Sequence, residues 1–300
     1  MSHVPSTVAG RRLAFASVLL AATLFGGQRL EAVPPPKVQV RLMTWNVGTI
    51  YPLEVRLPKR FEGKVAQTII GAQAQVVCLQ EVEGLAQVRH IRDLIAGRGG
   101  PVYSVLSSAS NPSRADGRAT GTLYLGRASA APVWSASTGD QAQALILDDV
   151  TIVNVHGPAG EYEHRRTFYP ELAKWVKTLP QPVVLAGDFN LGPRGGAGLA
   201  AVLPWLRAKD KQIYRDLING FAAHTELDAT TVYGLIFDHV MLSAGRILTQ
   251  ERLRLRRQFP QDHRPVVTEL LLPKLASRAA ALRGLRGAGR GLRGAVSAAR

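Results

Sequence analysis

The sequence contains a single cysteine, Cys78, among its 300 residues. One cysteine excludes an intramolecular disulfide and any metal centre built from several thiolates. Because Cys78 lies in the apolar run at residues 76–79, we predict a buried and unreactive thiol. Acidic residues are also few, with 22 Asp and Glu against 37 Lys and Arg, so the formal net charge is +15.

The excess positive charge lies mostly at the two ends of the chain. Residues 1–32 and 274–300 carry ten of the basic residues and one acidic residue, which leaves +6 for the part between them. The central part is therefore only mildly basic. Such a charge favours a polyanionic partner through long-range attraction, but it does not require one.

The apolar stretch at residues 13–25 falls short of the roughly 20 residues that a spanning helix needs. It follows Arg11 and Arg12 and precedes small and polar residues, a pattern typical of an export signal. We expect residues 1–32 to be a cleaved signal peptide, and an uncleaved membrane anchor is the alternative. The proline-rich residues 33–37 predict a stiff linker into a folded domain at residues 38–272.

Short β-branched runs separated by Gly, Pro and Asp fill the central part of the chain. They predict strands at residues 38–45, 76–79, 120–125, 144–147, 151–155, 183–186, 235–242 and 266–272. Helical spacing of apolar residues predicts helices at residues 64–72 and 169–178. This mixed order indicates an α/β or α+β core with two sheets or one large one.

Polar side chains lie at the ends of four predicted strands. They are Asn46, Glu81, Asp188 with Asn190, and the pair Asp262 and His263. Polar groups at strand ends can converge on a cleft while the strands fix their positions. Carboxylate and amide oxygens are the ligands that hard cations prefer. Each group alone is ordinary, but together they predict a functional site.

Six segments resemble the endonuclease/exonuclease/phosphatase superfamily, which is related to DNase I. In chain order they are MTWNVG, VVCLQEV, TIVNVHG, VVLAGDFN, IFDHVMLS and QDHRPVV. The resemblance covers residues 38–272, and GDFN and DHRPV are its most specific parts. It implies a four-layer α/β sandwich of two packed mixed β-sheets flanked by helices, with the active site at one edge. It also implies a requirement for Mg²⁺ or Mn²⁺.

The resemblance assigns the metal ligands to three residues. Glu81 matches the principal carboxylate, with Asn46 beside it and Asp262 close enough to assist. Asp188 and Asn190 match the pair that orients or deprotonates the attacking water and holds the phosphate.

The resemblance also assigns histidines to the reaction. His263 matches the histidine that contacts the scissile phosphate, and Asp238 matches the acid that hydrogen-bonds it and favours its protonated form. His156 matches a histidine of the DNase I, sphingomyelinase and phosphatase branches, where the role of general acid to the leaving oxygen is reasonable. His239 points away from Asp238 by strand alternation, so we expect it in the core.

These features predict an exported, metal-dependent phosphoester hydrolase. An endonuclease or phosphodiesterase is favoured because the chain is basic and phosphate neutralisation drives nucleic-acid affinity. A lipid phosphodiesterase or phosphatase of the same fold, sphingomyelinase-like or acting on a lipid pyrophosphate, is the alternative. A non-catalytic module that binds nucleic acid or membrane is a second alternative.

Two basic segments stay open to interpretation. The loop at residues 111–121, with Arg114 and Arg118, fits either a substrate loop or a solvated loop. The tail at residues 273–300 has apolar residues at heptad-like spacing among arginines, so it can form a basic amphipathic helix on an anionic surface. Its five glycines each cost about 0.8–1.0 kcal/mol in a helix, so we expect the free tail to be disordered. A solvated extension without function is the alternative.

Overall fold

The computed structural model describes residues 37–48, 57, 59–109, 119–160, 162–197, 204–231, 234–254 and 262–273. The predicted export signal, most of the linker, most of the loop at 111–121 and the tail from residue 274 lie outside the described residues. The strands and helices are numbered in chain order.

The first sheet contains six strands. They are β1 (Lys37–Asn46), β2 (Val76–Val82), β3 (Ser104–Ala109), β4 (Ala119–Tyr124), β13 (Arg246–Arg252) and β14 (Val266–Pro273). Their order across the sheet is β13-β14-β1-β2-β4-β3. Only β1 and β2 run parallel to each other, and the other neighbours are antiparallel.

The second sheet also contains six strands. They are β5 (Val133–Ser135), β6 (Gln141–Ile146), β7 (Thr151–His156), β8 (Val183–Asp188), β11 (Ala223–His224) and β12 (Asp238–Leu242). Their order is β11-β12-β8-β7-β6-β5, with β7 and β8 parallel. A separate two-stranded hairpin pairs β9 (Leu191–Gly192) with β10 (Gly195–Gly196).

Four helices are present in the described residues. They are α1 (Lys59–Ala72), α2 (Leu85–Ala96), α3 (Tyr162–Val176) and α4 (Pro204–Ile218). Among the described residues, none of the helices has the length and hydropathy needed to cross a bilayer.

Three apolar cores hold these layers together. The first lies between α1, α2 and the first sheet, where Ile69 and Ile91 pack with Leu79. The second lies between α3, α4 and the second sheet, and the third lies between the two sheets. Cys78 is buried in this third core, and burial raises the pKa of its thiol, as expected for an unreactive cysteine. The protein is therefore a four-layer α/β sandwich, as the sequence predicted.

Several elements differ from the sequence predictions. Helices α2 and α4 and strands β3, β5 and β13 were not predicted, and α3 begins at Tyr162 rather than at residue 169. The predicted strand at 235–242 is shorter, because β12 begins only at Asp238. The backbone N–H groups of Phe237 and Asp238 both donate to Oγ1 of Thr230, at 3.0 and 3.1 Å. Strands β1 and β14 each extend one residue beyond the predicted strands at 38–45 and 266–272 at the outer end, since β1 begins at Lys37 and β14 ends at Pro273.

Candidate active site

The strand register brings the predicted polar residues to one edge of the sandwich. In the second sheet, Asp188 lies between His156 on the parallel strand β7 and Asp238 on the antiparallel strand β12. In the first sheet, Asn46 lies beside Gln80 at the same ends of β1 and β2. The site therefore takes residues from both sheets, so its geometry depends on how the sheets pack.

Glu81 lies in a bulge that changes the direction of its side chain. The register of β2 against β4 shifts between Gln80 and Val82, and Glu81 has φ 59°. A bulge of this kind turns a side chain out of the regular alternation. A non-glycine residue with positive φ costs about 1–3 kcal/mol, and such strain is concentrated at functional sites. The carbonyl of Glu81 accepts a hydrogen bond of 3.1 Å from the N–H of Leu57, which holds the bulge.

Asp188 is the centre of the hydrogen-bond network. Its Oδ2 accepts a bond of 2.9 Å from Nδ2 of Asn46, and its Oδ1 accepts one of 2.7 Å from the backbone N–H of Asn190. Nδ2 of Asn190 is 3.3 Å from the same Oδ2 and donates at 3.0 Å to the carbonyl of Gly157. These donors stabilise the negative charge of a buried carboxylate.

Asn190 and Gly187 show why this turn has its sequence. Asn190 has φ 47°, a region that asparagine tolerates better than most residues. Gly187 has φ 157°, and a Cβ there would collide with the carbonyl of Val155 on the neighbouring strand. The turn therefore needs glycine before Asp188 for close approach of the strands.

Two imidazoles approach Asp188 from different strands. Nε2 of His156 is 3.9 Å and Nε2 of His263 is 3.7 Å from Oδ2 of Asp188. Nε2 of His156 is also 3.5 Å from Oε1 of Glu81. Both rings are buried, so the group can exchange protons away from bulk water.

The surroundings of His263 favour its charged form. Its Nδ1 is 2.8 Å from Oδ2 of Asp238, the contact that the family resemblance implies. Burial by itself would lower the pKa of His263, but the carboxylates of Asp238, Asp188 and Asp262 outweigh burial and raise the pKa well above its usual value. The imidazolium therefore presents its Nε2–H to the site.

Among the described residues, one group of acids and histidines lies within metal-ligand distance of one another. It consists of Asp188, Asp238 and His263, whose ligand atoms lie within 4.8 Å. This group differs from the predicted metal ligands. An imidazole that donates through Nδ1 and is protonated at Nε2 has no lone pair for a cation. The three residues are better explained as a charge-coupled hydrogen-bond group.

The predicted ligands supply a donor set that fits a hard cation. Glu81 would contribute a carboxylate on the strained bulge, and Asn46 would contribute an amide oxygen. Asp262 is partly exposed, with Oδ2 4.0 Å from Nε2 of His263, and burial raises the pKa of its carboxyl. Oxygen ligands of this kind suit Mg²⁺ or Mn²⁺, and sulfur is absent from the donor set.

Two supporting residues were not recognised as functional from the sequence. Trp45 donates from Nε1 to the carbonyl of His263 at 3.2 Å, which ties β1 to the loop before β14. Thr230 holds the backbone at Asp238 and accepts through its carbonyl the N–H of Arg264 at 2.8 Å. Trp45 lies inside the MTWNVG motif, which was a usable signal, whereas no motif marks Thr230.

His239 lies in the core, as predicted from strand alternation. Its Nε2 is 3.0 Å from the carbonyl of Leu191, and its ring packs between Phe189 and Tyr214. Burial is the main cause that lowers its pKa to about 4. The residue is thus a neutral core histidine.

Comparisons with known proteins agree with this fold. The model of the Endonuclease/Exonuclease/phosphatase family matches residues 43–263. The endonuclease/exonuclease/phosphatase from Beutenbergia cavernae is similar with TM-score 0.60 and 17% identity over 78% of this chain and 72% of that one. The endonuclease/exonuclease/phosphatase from Bacteroides vulgatus is similar with TM-score 0.58 and 15% identity, over 78% of this chain and 99% of that one. The human Nocturnin catalytic domain with bound sulfate anion is similar with TM-score 0.50 and 18% identity, over 79% of this chain and 98% of that one.

No curated protein matches the sequence. The structural likenesses are at low identity and therefore support the fold alone. Members of the matched family are generally phosphoester hydrolases that depend on a divalent metal. The family match spans most of the chain and includes each of the polar strand ends. The chain belongs to the endonuclease/exonuclease/phosphatase family.

Proposed function

We propose that the chain is a divalent-metal-dependent phosphodiesterase that cleaves nucleic acid by attack of water on phosphorus. The observation that carries the proposal is the convergence of donors on one buried carboxylate. Asp188 receives hydrogen bonds from Asn46 and Asn190 and is approached by His156 and His263. In-line attack on a phosphodiester needs a group on each side of phosphorus and charge stabilisation between them.

Asp188 orients the attacking water and accepts its proton. Its position is fixed by hydrogen bonds from both sheets, which favours a precise line of attack. Asn190 would hold the phosphate beside this carboxylate by turning toward it the Nδ2–H that lies 3.3 Å from Oδ2 of Asp188. The oxygen of water forms the new bond to phosphorus as its proton passes to Asp188.

His263 stabilises the charge that develops on the phosphate. Its Nε2–H donates to a non-bridging phosphoryl oxygen, while Asp238 fixes the ring through Nδ1. A charged donor that is already oriented lowers the barrier more than one that must reorganise.

His156 protonates the leaving oxygen as the bond between that oxygen and phosphorus breaks. The proton comes from Nε2, which is the ring atom that faces Glu81 and Asp188. The proton taken by Asp188 must later return to His156 through water, because the 3.9 Å between Oδ2 and Nε2 exceeds hydrogen-bond distance.

Glu81, Asn46 and Asp262 would hold the cation. The bound cation would supply charge neutralisation at the phosphoryl oxygens. Mn²⁺ and Mg²⁺ share the required ligand preference, so both are expected to support activity.

Positive charge around the site supports a nucleic-acid substrate. Arg264 directly follows His263, and Arg194 is exposed on the hairpin that follows Asn190. Neutralisation of backbone phosphates by such side chains supplies sequence-independent affinity. The net charge of the central part of the chain has the same sign.

A lipid phosphodiesterase is the second candidate, on a separate observation. Trp205 is 60% exposed in the first turn of α4, a helix that packs against the hairpin after Asn190. Exposed tryptophan is favoured at membrane–water interfaces because its ring is amphipathic. If this candidate is right, the Trp205→Ala variant should lose activity on vesicles and keep activity on a small soluble phosphodiester.

A side-by-side assay tests the proposal. Purified protein is incubated with plasmid DNA, RNA, sphingomyelin vesicles and simple phosphomonoesters, in Mg²⁺, in Mn²⁺ and in chelator. Cleavage of plasmid DNA or RNA with either cation supports the proposal, and cleavage of sphingomyelin alone supports the second candidate. Absence of every activity in both cations would leave a non-catalytic binding module.

Export is also proposed, on the sequence of residues 1–32. The N-terminus of the native protein and its cell fraction provide the test. A start near Val33 in the exported fraction supports cleavage, whereas an intact N-terminus in the membrane fraction supports an anchor. An intact cytoplasmic protein contradicts export.

A further inference from the structure

Arg165 and Asp210 form a buried ion pair behind the active site. Nε and Nη2 of Arg165 donate to Oδ1 and Oδ2 of Asp210 at 3.0 and 2.9 Å, which joins α3 to α4. Both residues are almost completely buried. Buried pairs of this kind are often no better for stability than well-packed apolar residues, so stability alone is a weak reason for this one.

The remaining nitrogen of Arg165 points to the segment that follows His156. Nη1 is 3.3 Å from the carbonyl of Ala159 and 3.5 Å from the carbonyl of Pro158. These two residues come directly after His156 and Gly157 at the end of β7. Arg165 thus connects the helix layer to the backbone that carries the proposed general acid.

A second contact of the same helix reaches the neighbouring turn. Tyr169, one helical turn after Arg165, donates a hydrogen bond to the carbonyl of Phe189. The two turns are joined because Asn190 donates to the carbonyl of Gly157 at 3.0 Å. A Cβ at Gly157 would collide with the Tyr169 hydroxyl, so the helix and the turn are in tight contact.

The hairpin after Asn190 also rests on the ion pair. A Cβ at Gly196 on β10 would lie 2.5 Å from Oδ2 of Asp210 and 2.8 Å from the guanidinium of Arg165. The pair is therefore enclosed by the segment after His156 on one side and by the hairpin on the other.

We propose that Arg165, held by Asp210, is a positioning residue that sets the place of His156 relative to the leaving oxygen. The proposal rests on the proposed function. Asp188 has its own hydrogen bonds from Asn46 and Asn190. Loss of the contacts to Pro158 and Ala159 should therefore displace His156 more than Asp188, and should weaken protonation of the leaving oxygen more than attack.

Leaving-group dependence separates positioning of a general acid from a general structural defect. Nitrophenolate leaves as a stable anion and needs little protonation, whereas a sugar hydroxyl needs a proton as it leaves. The two probes are the 4-nitrophenyl ester of thymidine 5′-phosphate and a thymidine dinucleotide. General acid catalysis typically contributes a rate enhancement of about 10²–10⁴-fold. Of the two probes, only cleavage of the dinucleotide depends on this full enhancement.

Three variants are compared with the parent, with kcat measured on both probes. Arg165→Met is expected to lose about 10²-fold on the dinucleotide and less than about tenfold on the nitrophenyl ester, as His156→Ala should. Arg166→Met is the matched control, because the adjacent Arg166 makes an exposed pair with Glu163. It should keep both activities.

The double variant Arg165→Met/Asp210→Val guards against loss of folding. It removes both buried charges, so its thermal stability should recover relative to Arg165→Met. It does not restore the contacts to Pro158 and Ala159, so the selective loss on the dinucleotide should remain.

The outcomes keep the two proposals apart. A parent protein that cleaves neither probe in Mg²⁺ or Mn²⁺ contradicts the proposed function. An active parent whose Arg165→Met variant loses both activities equally contradicts the positioning role. The role is also contradicted if the stable double variant cleaves the dinucleotide as fast as the parent.

Discussion

Nδ2 of Asn46 donates a 2.9 Å hydrogen bond to Oδ2 of Asp188, and this bond joins the two sheets across the active site. Asn46 ends β1 of the first sheet, and Asp188 ends β8 of the second. The carboxylate assigned to water activation is therefore tied to a side chain assigned to the cation. A change at either residue should affect both roles.

Replacement of Asn46 by alanine should reduce turnover by about 10²–10³-fold, the usual cost of one transition-state contact. It should also raise the cation concentration needed for half-maximal activity, because an oxygen ligand is lost. Titration of activity with Mg²⁺ measures both effects. Asn219→Ala, at an exposed position after α4, is the control and should match the parent. An unchanged Mg²⁺ requirement in Asn46→Ala would argue against its role as a ligand.

The Glu81→Gln variant should have little activity at low Mg²⁺ and should regain part of the activity at high Mg²⁺. The amide keeps the shape of the side chain but removes the charge that attracts the cation. Chelator should abolish the activity of the parent protein, and added Mg²⁺ or Mn²⁺ should restore that activity. Glu83→Gln, two residues away and exposed, provides the comparison. Full activity of the parent after exhaustive chelation would contradict the metal requirement.

Asp238→Asn should shift the alkaline limb of the pH–rate profile to lower pH. Burial lowers the pKa of His263, while Asp238 is the largest of the influences that raise it. Without that carboxylate, His263 loses its proton at lower pH, and the charged donor to the phosphate is lost earlier. The profile of kcat/KM against pH is the measurement. An alkaline limb in the same place as in the parent would show that His263 is not the group being titrated.

His239 should cause the free energy of unfolding to fall as the pH falls into the weakly acidic range. Its folded pKa is about 4 and its ordinary value is 6.5, so between these values the unfolded chain binds a proton that the folded protein does not. The free energy of unfolding therefore falls as pH falls through this window, by at most about 1.4 kcal/mol per pH unit for one group. His239→Gln can still donate to Leu191 and does not titrate, so its denaturation curves should show a smaller loss from pH 6.5 to 4. Equal losses in both proteins would be evidence that His239 is charged in the folded state.

Deletion of residues 274–300 should weaken binding to DNA and to anionic vesicles, most clearly at low salt. The segment carries seven basic residues and no acid, so its attraction is electrostatic and is screened by salt. Turnover on a small soluble phosphodiester should not change, because no proposed site residue lies in the deleted segment. Equal binding of the full-length and shortened proteins at low salt would contradict a binding role for the tail and support the alternative, a solvated extension without function.

The sequence predicted the strands that carry the site because those strands are buried on both faces. Residues 76–79 of β2 and 183–186 of β8 form continuous apolar runs, and β7 has a single polar residue, Asn154, between Thr151 and His156. The edge strand β13 was missed because its exposed charged residues give no apolar run. The three residues of β5 are too few to form a pattern.

Helix α4 was missed for a reason that also concerns the site. Its buried positions are Asp210, Tyr214 and Leu217, so a charged residue occupies a core-facing position. On α3, Arg165 occupies the matching position beside Phe168. Periodicity assigns charged residues to the solvent face, so a buried pair between two helices cannot be recognised from either helix alone.

The local geometry at Glu81 was not predictable for a different reason. The motif placed Glu81 at a strand end, but the bulge and its positive φ arise from pairing with β4, which is distant in the sequence. Motifs therefore identified the residue types of the candidate site. The directions of their side chains come from tertiary pairing.

The place of β14 inside the first sheet affects when the site can form during synthesis. β14 lies between β13 and β1, so both neighbours have an unpaired edge until residues 266–273 have been made. An unpaired strand edge is a site for wrong pairing with other chains, and incomplete chains are the species most exposed to it. Asn46 is on β1, one of the two strands with an unpaired edge, and His263 comes just before β14 in the chain. A growing polypeptide therefore leaves His263 without the strand that follows it, and β1 without one of its two neighbours, until β14 has been inserted. A chain cut short before β14 has lost the antiparallel pairing partner of its first strand.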